Sequence, residues 1–283
     1  LVFGPDKRLY ITIGGNTASG CPSYGIDLSY GLRPEQAFSS AVTVFPASIA
    51  SGTWSLTNDG MCATTIDESA GTSGPVPATC KGKTWVTGVR NMYRIVFTST
   101  GAAYGVDNGV GTASNFPLPL SQAAPNDCVC AKQYDTFRDP GVQADRLYRL
   151  KEGRQYGQPH PFHKQCVWRD GVLQRNVPGY SWVTDDARIR NSADGLIEYR
   201  SACAFGGDLK GSLLTTLFSV GDNIQRFKLT ADGSVASSDN IIGGFRDPLD
   251  LAEGDDGLLF VAEFDQSSLS RRVTVLVPKR TSC

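Results

Sequence analysis

Short runs in which apolar and polar residues alternate recur along the chain, and most of them follow a turn rich in glycine and aspartate. Near the start, Ile11 and Ile13 fall on one face of a predicted strand, and Tyr10 and Thr12 fall on the other. The same turn-and-strand unit returns as STGAAYGVDNG, NSADGLIEYR, TADGSVASS and EGDDGLLFVAEF. No stretch of any length carries the period of an amphipathic helix. The pattern therefore predicts an all-β protein.

Long stretches rich in Ser, Thr, Gly and Pro separate the predicted strands. We interpret them as loop insertions, at about 15–83, 112–143 and 160–193, into one domain that spans residues 1–283. Further strands are predicted at 41–45, 93–98, 102–106, 145–150, 195–199, 213–220, 224–229 and 258–264. Many short strands with frequent turns and divergent repeats favour a β-propeller over βαβ units, with about four blades present here.

Overall composition narrows the possible functions. The 27 Lys and Arg residues are balanced by 28 Asp and Glu residues, which argues against a nucleic-acid-binding surface. No apolar run approaches the ~20 residues that span a bilayer. The chain starts at Leu1 inside a predicted strand, so we expect a preceding N-terminal part that this sequence lacks.

Eight cysteines lie mostly in loop-like stretches, and their even number favours disulfides and a secreted, extracellular protein. Their pairing stays open, and Cys203, in a strand-like stretch, fits a buried thiol equally well. A zinc site could be assembled from His160, His163 and nearby cysteines, but their irregular spacing favours disulfides. These are the only two histidines, and no hydrolase, dinucleotide-binding or phosphate-loop motif accompanies them.

The most informative stretch for function is VTGVRNMYRIVFTSTGAAYGVDNGVG, from Val86 to Gly111. Arg90 offers a planar fork of donors, and Asn91 adds an amide donor and acceptor. A predicted hairpin then leads to the loop Asp107–Asn108–Gly109, whose oxygen atoms suit calcium. Together they predict a grip on a polyanionic ligand beside a hard cation. A salt-bridged strand end and a plain turn remain the simpler alternatives.

Two more cations are candidates for contacting an anionic ligand. Lys210 lies between glycines and apolar strands in AFGGDLKG, and it could equally extend from a hairpin into water. Arg246, in GGFRDPLD, precedes the last turn-and-strand unit and could instead pair with Asp247 or Asp250.

Taken in order, five segments of the chain resemble the glucose/sorbosone dehydrogenase family. These segments are LVFGPDKRLYITIGG, VRNMYRIVFTSTGAAYGVDNG, DRLYRLKEGRQYGQP, AFGGDLKGSLL and GFRDPLDLAEGDDGLLFVAEF. The family consists of quinoprotein β-propellers that use pyrroloquinoline quinone (PQQ) and calcium. The resemblance implies a six-bladed propeller in which loop insertions carry disulfides.

The resemblance also assigns roles to individual residues. It implies that Arg90, Asn91, Lys210 and Arg246 hold PQQ, and that Gly109 and Val110 offer backbone carbonyls to Ca²⁺. The chain departs from the family pattern by having Met-Tyr after Arg90–Asn91, and Gly244 where a second arginine is expected. It implies no catalytic residue within this chain, because the family's general base is a histidine about five residues before the segment that starts at Leu1.

Three functions follow from the resemblance. The leading hypothesis is a sugar dehydrogenase that oxidises an aldose or pyranose by hydride transfer to PQQ, with an external electron acceptor. The first alternative is a non-enzymatic extracellular propeller of the same family, similar to the hedgehog-interacting type. The second is a calcium-dependent propeller of the lactonase type.

Overall fold

The structure is a computed structural model. It describes residues 1–17, 35–36, 38–46, 61–62, 66–67, 72–73, 82–109, 144–158, 187–189, 192–219 and 221–278. In these residues the regular elements are β-strands, apart from a short 3-10 turn at Ala204–Gly207. The all-β prediction is confirmed.

The described strands are short and follow one another closely along the chain. They are β1 (Val2–Phe3), β2 (Leu9–Ile13), β3 (Ala41–Phe45), β4 (Met61–Cys62), β5 (Ile66–Asp67), β6 (Thr72–Ser73), β7 (Gly82–Thr87), β8 (Met92–Phe97), β9 (Ala103–Asp107), β10 (Asp145–Leu150), β11 (Ala187–Ile189), β12 (Ala193–Glu198), β13 (Leu213–Leu217), β14 (Asn223–Leu229), β15 (Val235–Gly243), β16 (Pro248–Glu253), β17 (Leu259–Asp265) and β18 (Ser270–Leu276).

The first of two compact units is built on one sheet with the strand order β1-β2-β3-β7-β4. Its strands β1, β2, β3 and β7 pair antiparallel in that order, and β4 joins the edge of β7 in parallel. The rings of Tyr10 and Trp85 meet edge to face with their centroids 4.9 Å apart. Residues 150–158 and Gly109 belong to the same unit.

Strand β3 lies inside the stretch 15–83, which was interpreted as an insertion with one weak strand candidate. The weak candidate at 41–45 is a strand, and it lies between β2 and β7 with all five residues buried. A strand covered on both faces has no polar alternation, so the period-2 signal that marked β2 is absent here. Part of the supposed insertion is therefore the centre of the first sheet.

The second unit contains most of the other sheets. Their strand orders are β11-β10-β9-β8, β12-β13-β14-β15 and β16-β17-β18. The pairing is that of successive antiparallel hairpins, with Leu213 opposite Phe227 and Leu259 opposite Leu276. Three strands of this unit, β11, β16 and β18, were missed by the sequence-based prediction, which covered only the start of β15 in TADGSVASS. β15 and β18 are mostly exposed, so pairing with neighbours decides their structure more than an apolar pattern does.

Two apolar clusters hold the three sheets of the second unit together. One joins the β8–β11 sheet to the β12–β15 sheet and includes Tyr104, Val106, Leu147, Ile189, Leu196, Leu213 and Phe227. The other joins the β12–β15 sheet to the β16–β18 sheet and includes Tyr199, Leu214, Ile224, Phe245, Leu251, Leu259 and Val261. Burying each such side chain contributes about 1.5–3 kcal/mol. The sheets therefore pack face to face in chain order.

Cys203 is disulfide-bonded, which leaves out the buried-thiol alternative for this residue. The side chains of the other cysteines lie outside the described residues, so the disulfide-bearing insertions remain a prediction. No helix in the described part of the chain is long and apolar enough to cross a membrane.

Candidate functional site

The connection between β7 and β8 carries Arg90 and Asn91, and backbone hydrogen bonds hold it on several sides. Gly88 turns the chain with φ of 72°, and its carbonyl accepts a 2.8 Å hydrogen bond from Gln158 N. Gly15 N, just after β2, donates to Arg90 O at 2.7 Å. The segment that presents Arg90 and Asn91 is thus fixed by its own unit before any ligand is present.

The side chain of Arg90 reaches the loop that follows β9. Its Nη1 donates to the carbonyl oxygen of Gly109 at 3.1 Å, and the side chain is half-buried. Asn91 is exposed beside it, and its Oδ1 is 3.4 Å from the position that a Cβ on Gly14 would occupy. Three residues predicted to bind the cofactor or the metal are therefore neighbours in the first unit. Val110, the other predicted calcium ligand, lies outside the described residues.

The residue types at this location fit the two groups that the family resemblance implies. A guanidinium and an amide suit the carboxylates of PQQ, because both donate hydrogen bonds and the guanidinium adds charge. The Gly109 carbonyl accepts from Arg90, yet a carbonyl oxygen has two lone pairs and can also coordinate a hard cation. The donor set around Arg90 is compatible with both ligands.

Asn108, next along the loop, has a structural role in the second unit. Its Nδ2 donates to Asp145 Oδ2 at 3.2 Å and to Ala193 O at 3.0 Å. Asp145 Oδ2 also accepts from Ala193 N at 2.8 Å. These bonds tie the end of β9 to the starts of β10 and β12, and Asp107 before it is fully buried. Asn108 therefore stabilises the second unit by joining three of its strands.

Asp194 in β12 is a buried carboxyl group of the second unit with a strongly raised pKa. Burial, together with the charges of Asp145 and Asp250, raises the pKa of Asp194 to about 7. Asp250 itself accepts a 2.6 Å hydrogen bond from Arg94 Nη1. Asp194 thus carries a carboxyl that the fold prefers to keep protonated near neutral pH.

The raised pKa makes a prediction for stability. Because the pKa of about 7 in the folded protein exceeds the ordinary value of 3.8, the contribution of Asp194 to stability is greatest at low pH and is lost as the pH rises from about 4 to about 7. We expect the melting temperature of Asp194→Asn to exceed that of the wild type at about pH 8.5, by roughly 2–4 °C, and to gain less at about pH 5. Thermal unfolding across this range tests the effect, with the exposed Asp255→Asn as control. Parallel pH profiles for wild type and Asp194→Asn would contradict it.

Arg246 lies in the connection between β15 and β16 and borders an open cleft of about 390 Å³. Its Nη1 donates to Asp265 Oδ2 at 2.9 Å, so its partner is neither Asp247 nor Asp250, as the alternative had it. The arginine side chain is 65% exposed and the aspartate only 7%. Arg246 is therefore anchored at one end and open to solvent at the other.

Lys210 lies in the second unit, near the start of β13, whereas Arg246 lies near the end of β13. It is exposed and belongs to the connection from β12 to β13. The neighbour of Arg246, Phe245, donates its N–H to Asp222 O at 3.3 Å, and Asp222 belongs to the connection from β13 to β14. The five residues of β13 separate these connections by about 16 Å. The structure therefore does not bring Lys210 and Arg246 together. Asn108 is bonded to Ala193 at the start of β12, which lies beside the end of β13, and this is the end of the sheet near Arg246.

Glu263 and Asp265 are the residues near Arg246 that the sequence-based reasoning missed. Both face inward from β17, in line with the buried Leu259 and Val261. The signal was present in the sequence, because carboxylates at alternate positions continue the apolar face of LLFVAEFD. Charges on a buried face are rare without a partner, so they mark an ion-pair network.

The zinc alternative cannot be placed on the structure. His160, His163 and the cysteines near them lie outside the described residues. Among the residues that are described, no group of three or more His, Cys, Asp or Glu side chains is arranged to hold a metal ion. This absence concerns side chains, so it does not apply to a calcium site whose ligands are backbone carbonyls.

Comparison with known proteins places the fold. No family model matches the chain, and no curated protein matches it in sequence. Solved structures do match it. A glucose dehydrogenase shares 14% identity with a TM-score of 0.55, over 99% of this chain and 62% of that one. The PQQ-bound aldose sugar dehydrogenase of Streptomyces coelicolor shares 17% identity with a TM-score of 0.51, over 97% of this chain and 60% of that one. The fold is that of the glucose/sorbosone dehydrogenases.

A third match is the calcium structure of a Trichoderma reesei carbohydrate-active enzyme of family AA12, with 12% identity and a TM-score of 0.54, over 98% of this chain and 67% of that one. The β-propeller predicted from the sequence is confirmed. At these identities the likeness establishes the fold and leaves the activity open. The chain spans about three fifths of the length of the first two structures.

Proposed function

We propose that the full-length protein is a secreted quinoprotein that oxidises an aldose or pyranose, with PQQ as cofactor and Ca²⁺ as its metal. The observation that carries the proposal is the contact between Arg90 Nη1 and the Gly109 carbonyl, at 3.1 Å. It unites a residue predicted to bind PQQ with a residue predicted to bind calcium, within a fold shared with PQQ-bound and calcium-bound proteins.

The residues of this chain would bind and orient the cofactor. Arg90 and Asn91 would donate hydrogen bonds to a carboxylate of PQQ, and the Gly109 carbonyl would be an oxygen ligand for Ca²⁺. When bound, PQQ supplies the quinone that accepts a hydride from the sugar, and the cation polarises it. The backbone bonds that fix the segment around Arg90 reduce the entropy lost on binding. We assign no catalytic base within this chain.

A second candidate is the non-enzymatic binding module with the same fold. One observation favours it: Lys210 lies at the other end of β13 from Arg246, so these two predicted cofactor ligands do not converge. A propeller that had lost its quinone site would tolerate such a separation. The two candidates differ in whether the protein binds PQQ.

A reconstitution experiment distinguishes the candidates. The full-length protein is titrated with PQQ in the presence of Ca²⁺ by calorimetry, and dye reduction is then followed with a panel of aldoses. The dehydrogenase is expected to bind PQQ at micromolar concentration and to reduce the dye only when PQQ, Ca²⁺ and an aldose are all present. Removal of calcium with a chelator should abolish reduction. Absence of PQQ binding under these conditions would contradict the proposal and favour the binding module.

A further inference from the structure

We infer that one face and one edge of the β16–β18 sheet form an interface, which a further β-sheet made by the residues preceding Leu1 covers in the full-length protein. The face concerned is the outer one, which points away from the β12–β15 sheet, and the edge is the outer edge of β18. This surface belongs to the second unit, and its cover does not depend on whether the protein binds PQQ.

Apolar side chains occupy the outer face at alternate positions of two adjacent strands. On β18, Val273 and Val275 are 62% and 43% exposed. They lie opposite Ala262 and Phe260 of β17, and Phe260 is 37% exposed. Directly opposite residues of antiparallel strands share a face of the sheet, so these four residues form one patch. A sheet face that stays in water normally carries polar residues instead.

The inner face of the same two strands already has its cover. Leu259 and Val261 of β17 are buried in the apolar cluster shared with the β12–β15 sheet. Arg272 and Thr274 of β18 lie on this face too, and both bond to Glu263. The β16–β18 sheet thus has apolar residues on both faces, as a sheet between two layers does, and only the inner face is covered among the described residues.

The other sheets of the second unit indicate what kind of cover fits. Both have four strands, whereas the β16–β18 sheet has three, and among the described strands none pairs with the outer edge of β18. The sheets also pack face to face in chain order through apolar clusters. A free edge and an uncovered apolar face are both places where further β-structure binds. A fourth strand beside β18 and another sheet stacked on the outer face would complete both.

The full-length chain has the length to supply this cover. The glucose dehydrogenase and the aldose sugar dehydrogenase match over 99% and 97% of this chain but over only 62% and 60% of their own chains. Leu1 and Phe3, at the edge strand β1 of the first unit, are exposed as well, which fits an apolar, strand-forming sequence before them. Because the sheets of the second unit already stack within one chain, the same chain is a simpler source of the cover than a second copy.

The outer face also predicts the chemistry of the covering segment. Opposite Val273 and Val275 it should carry β-branched or aromatic side chains, which form favourable cross-strand pairs with valine. Arg271 is exposed on the same face, with its guanidinium carbon 5.4 Å from the centroid of the Phe264 ring. The segment near Arg271 should therefore carry a carboxylate.

Photo-crosslinking in the full-length protein tests the inference directly. The photoreactive amino acid p-benzoylphenylalanine is introduced at Val275, and the irradiated protein is digested and analysed by mass spectrometry. We expect a crosslink within one molecule to a peptide that precedes Leu1. The same amino acid at Asp255, exposed in the turn between β16 and β17, is the control and should form no link to that peptide.

The melting temperature of the full-length protein gives a second, independent measurement. A charge at Val273 would be buried under the covering sheet, so Val273→Asp should lower the melting temperature by about 4–10 °C. Ser237→Asp, in the exposed edge strand β15, is the matched control and should change it by less than about 1 °C. If Val273→Asp does not fold, Val273→Thr replaces it and should cause a smaller loss in the same direction.

Each other outcome would overturn the inference. A crosslink between two molecules would make the face a contact between copies of this chain, and a crosslink to another protein would make it a docking site. A link to another part of residues 1–283, or to residues after Cys283, would assign the cover to a different segment. No crosslink, with Val273→Asp melting like Ser237→Asp, would show that the face stays in water. None of these outcomes bears on PQQ binding, so the proposed function stands or falls separately.

Discussion

Replacing Arg90 by alanine in the full-length protein is expected to weaken PQQ binding by about 30- to 1000-fold, which corresponds to about 2–4 kcal/mol. The loss is large because the carboxylate of the ligand would be left without its charged partner. The Gly109 carbonyl would also lose the hydrogen bond from Arg90, so the loop that offers the predicted calcium ligand would be held less firmly. Calcium affinity should therefore fall together with PQQ affinity.

Calorimetric titration with PQQ and Ca²⁺ measures both constants. Arg90→Lys keeps the charge but not the planar fork, so we expect an intermediate affinity. Arg8→Ala is a suitable control, since Arg8 is an arginine of the first unit that pairs with Asp6 at an exposed turn, and it should bind PQQ like the wild type. Wild-type affinity in Arg90→Ala would show that Arg90 only supports its loop. A melting temperature within a few degrees of wild type is needed to assign the loss to binding.

Whether a strand could be predicted from the sequence depends on how many of its faces are buried. β17 alternates between buried and more exposed positions, and its sequence pattern marked it within one residue. β3 is buried throughout and was only a weak candidate inside a supposed loop. β18 exposes most of its side chains and gave no signal. Periodicity therefore identifies the strands with one covered face, and the others depend on their neighbours.

The candidate site was predictable in its local part and not in its long-range part. Arg90 and Gly109 flank one hairpin, so antiparallel pairing of β8 and β9 necessarily returns the chain from one to the other. The partner of Arg246 depends on which strand packs next to it, and nothing in the sequence around Arg246 names Asp265. Whether Lys210 and Arg246 lie at the same end of a sheet depends on the order and direction of all its strands. The type of a residue identifies it as a candidate ligand, whereas the topology of the sheet determines which residues it contacts.

Gly88 links the stability of the first unit to this site, and Gly88→Ala is expected to destabilise the protein by about 2–5 kcal/mol. Its φ of 72° costs about 1–2 kcal/mol for any residue with a Cβ. The added Cβ would also lie 2.7 Å from the Gln155 side chain and 2.8 Å from Tyr156 N. Relieving that clash means moving the backbone of 155–158, which adds about 1–3 kcal/mol. The bond from Gln158 N to Gly88 O would be strained as a result.

A second glycine separates the two causes. Gly101, at the turn between β8 and β9, has φ of 82° but no atom within 4 Å of its added Cβ. Gly101→Ala should therefore lose only about 1–2 kcal/mol of unfolding free energy from backbone strain, as measured by urea denaturation. A larger loss for Gly88→Ala than for Gly101→Ala would show that residues 155–158 press on the segment that carries Arg90, and PQQ affinity should then fall in Gly88→Ala alone. Equal losses would mean that this segment yields without cost, and that the position of Arg90 is set by its bonds to Gly15 and Gly109 instead.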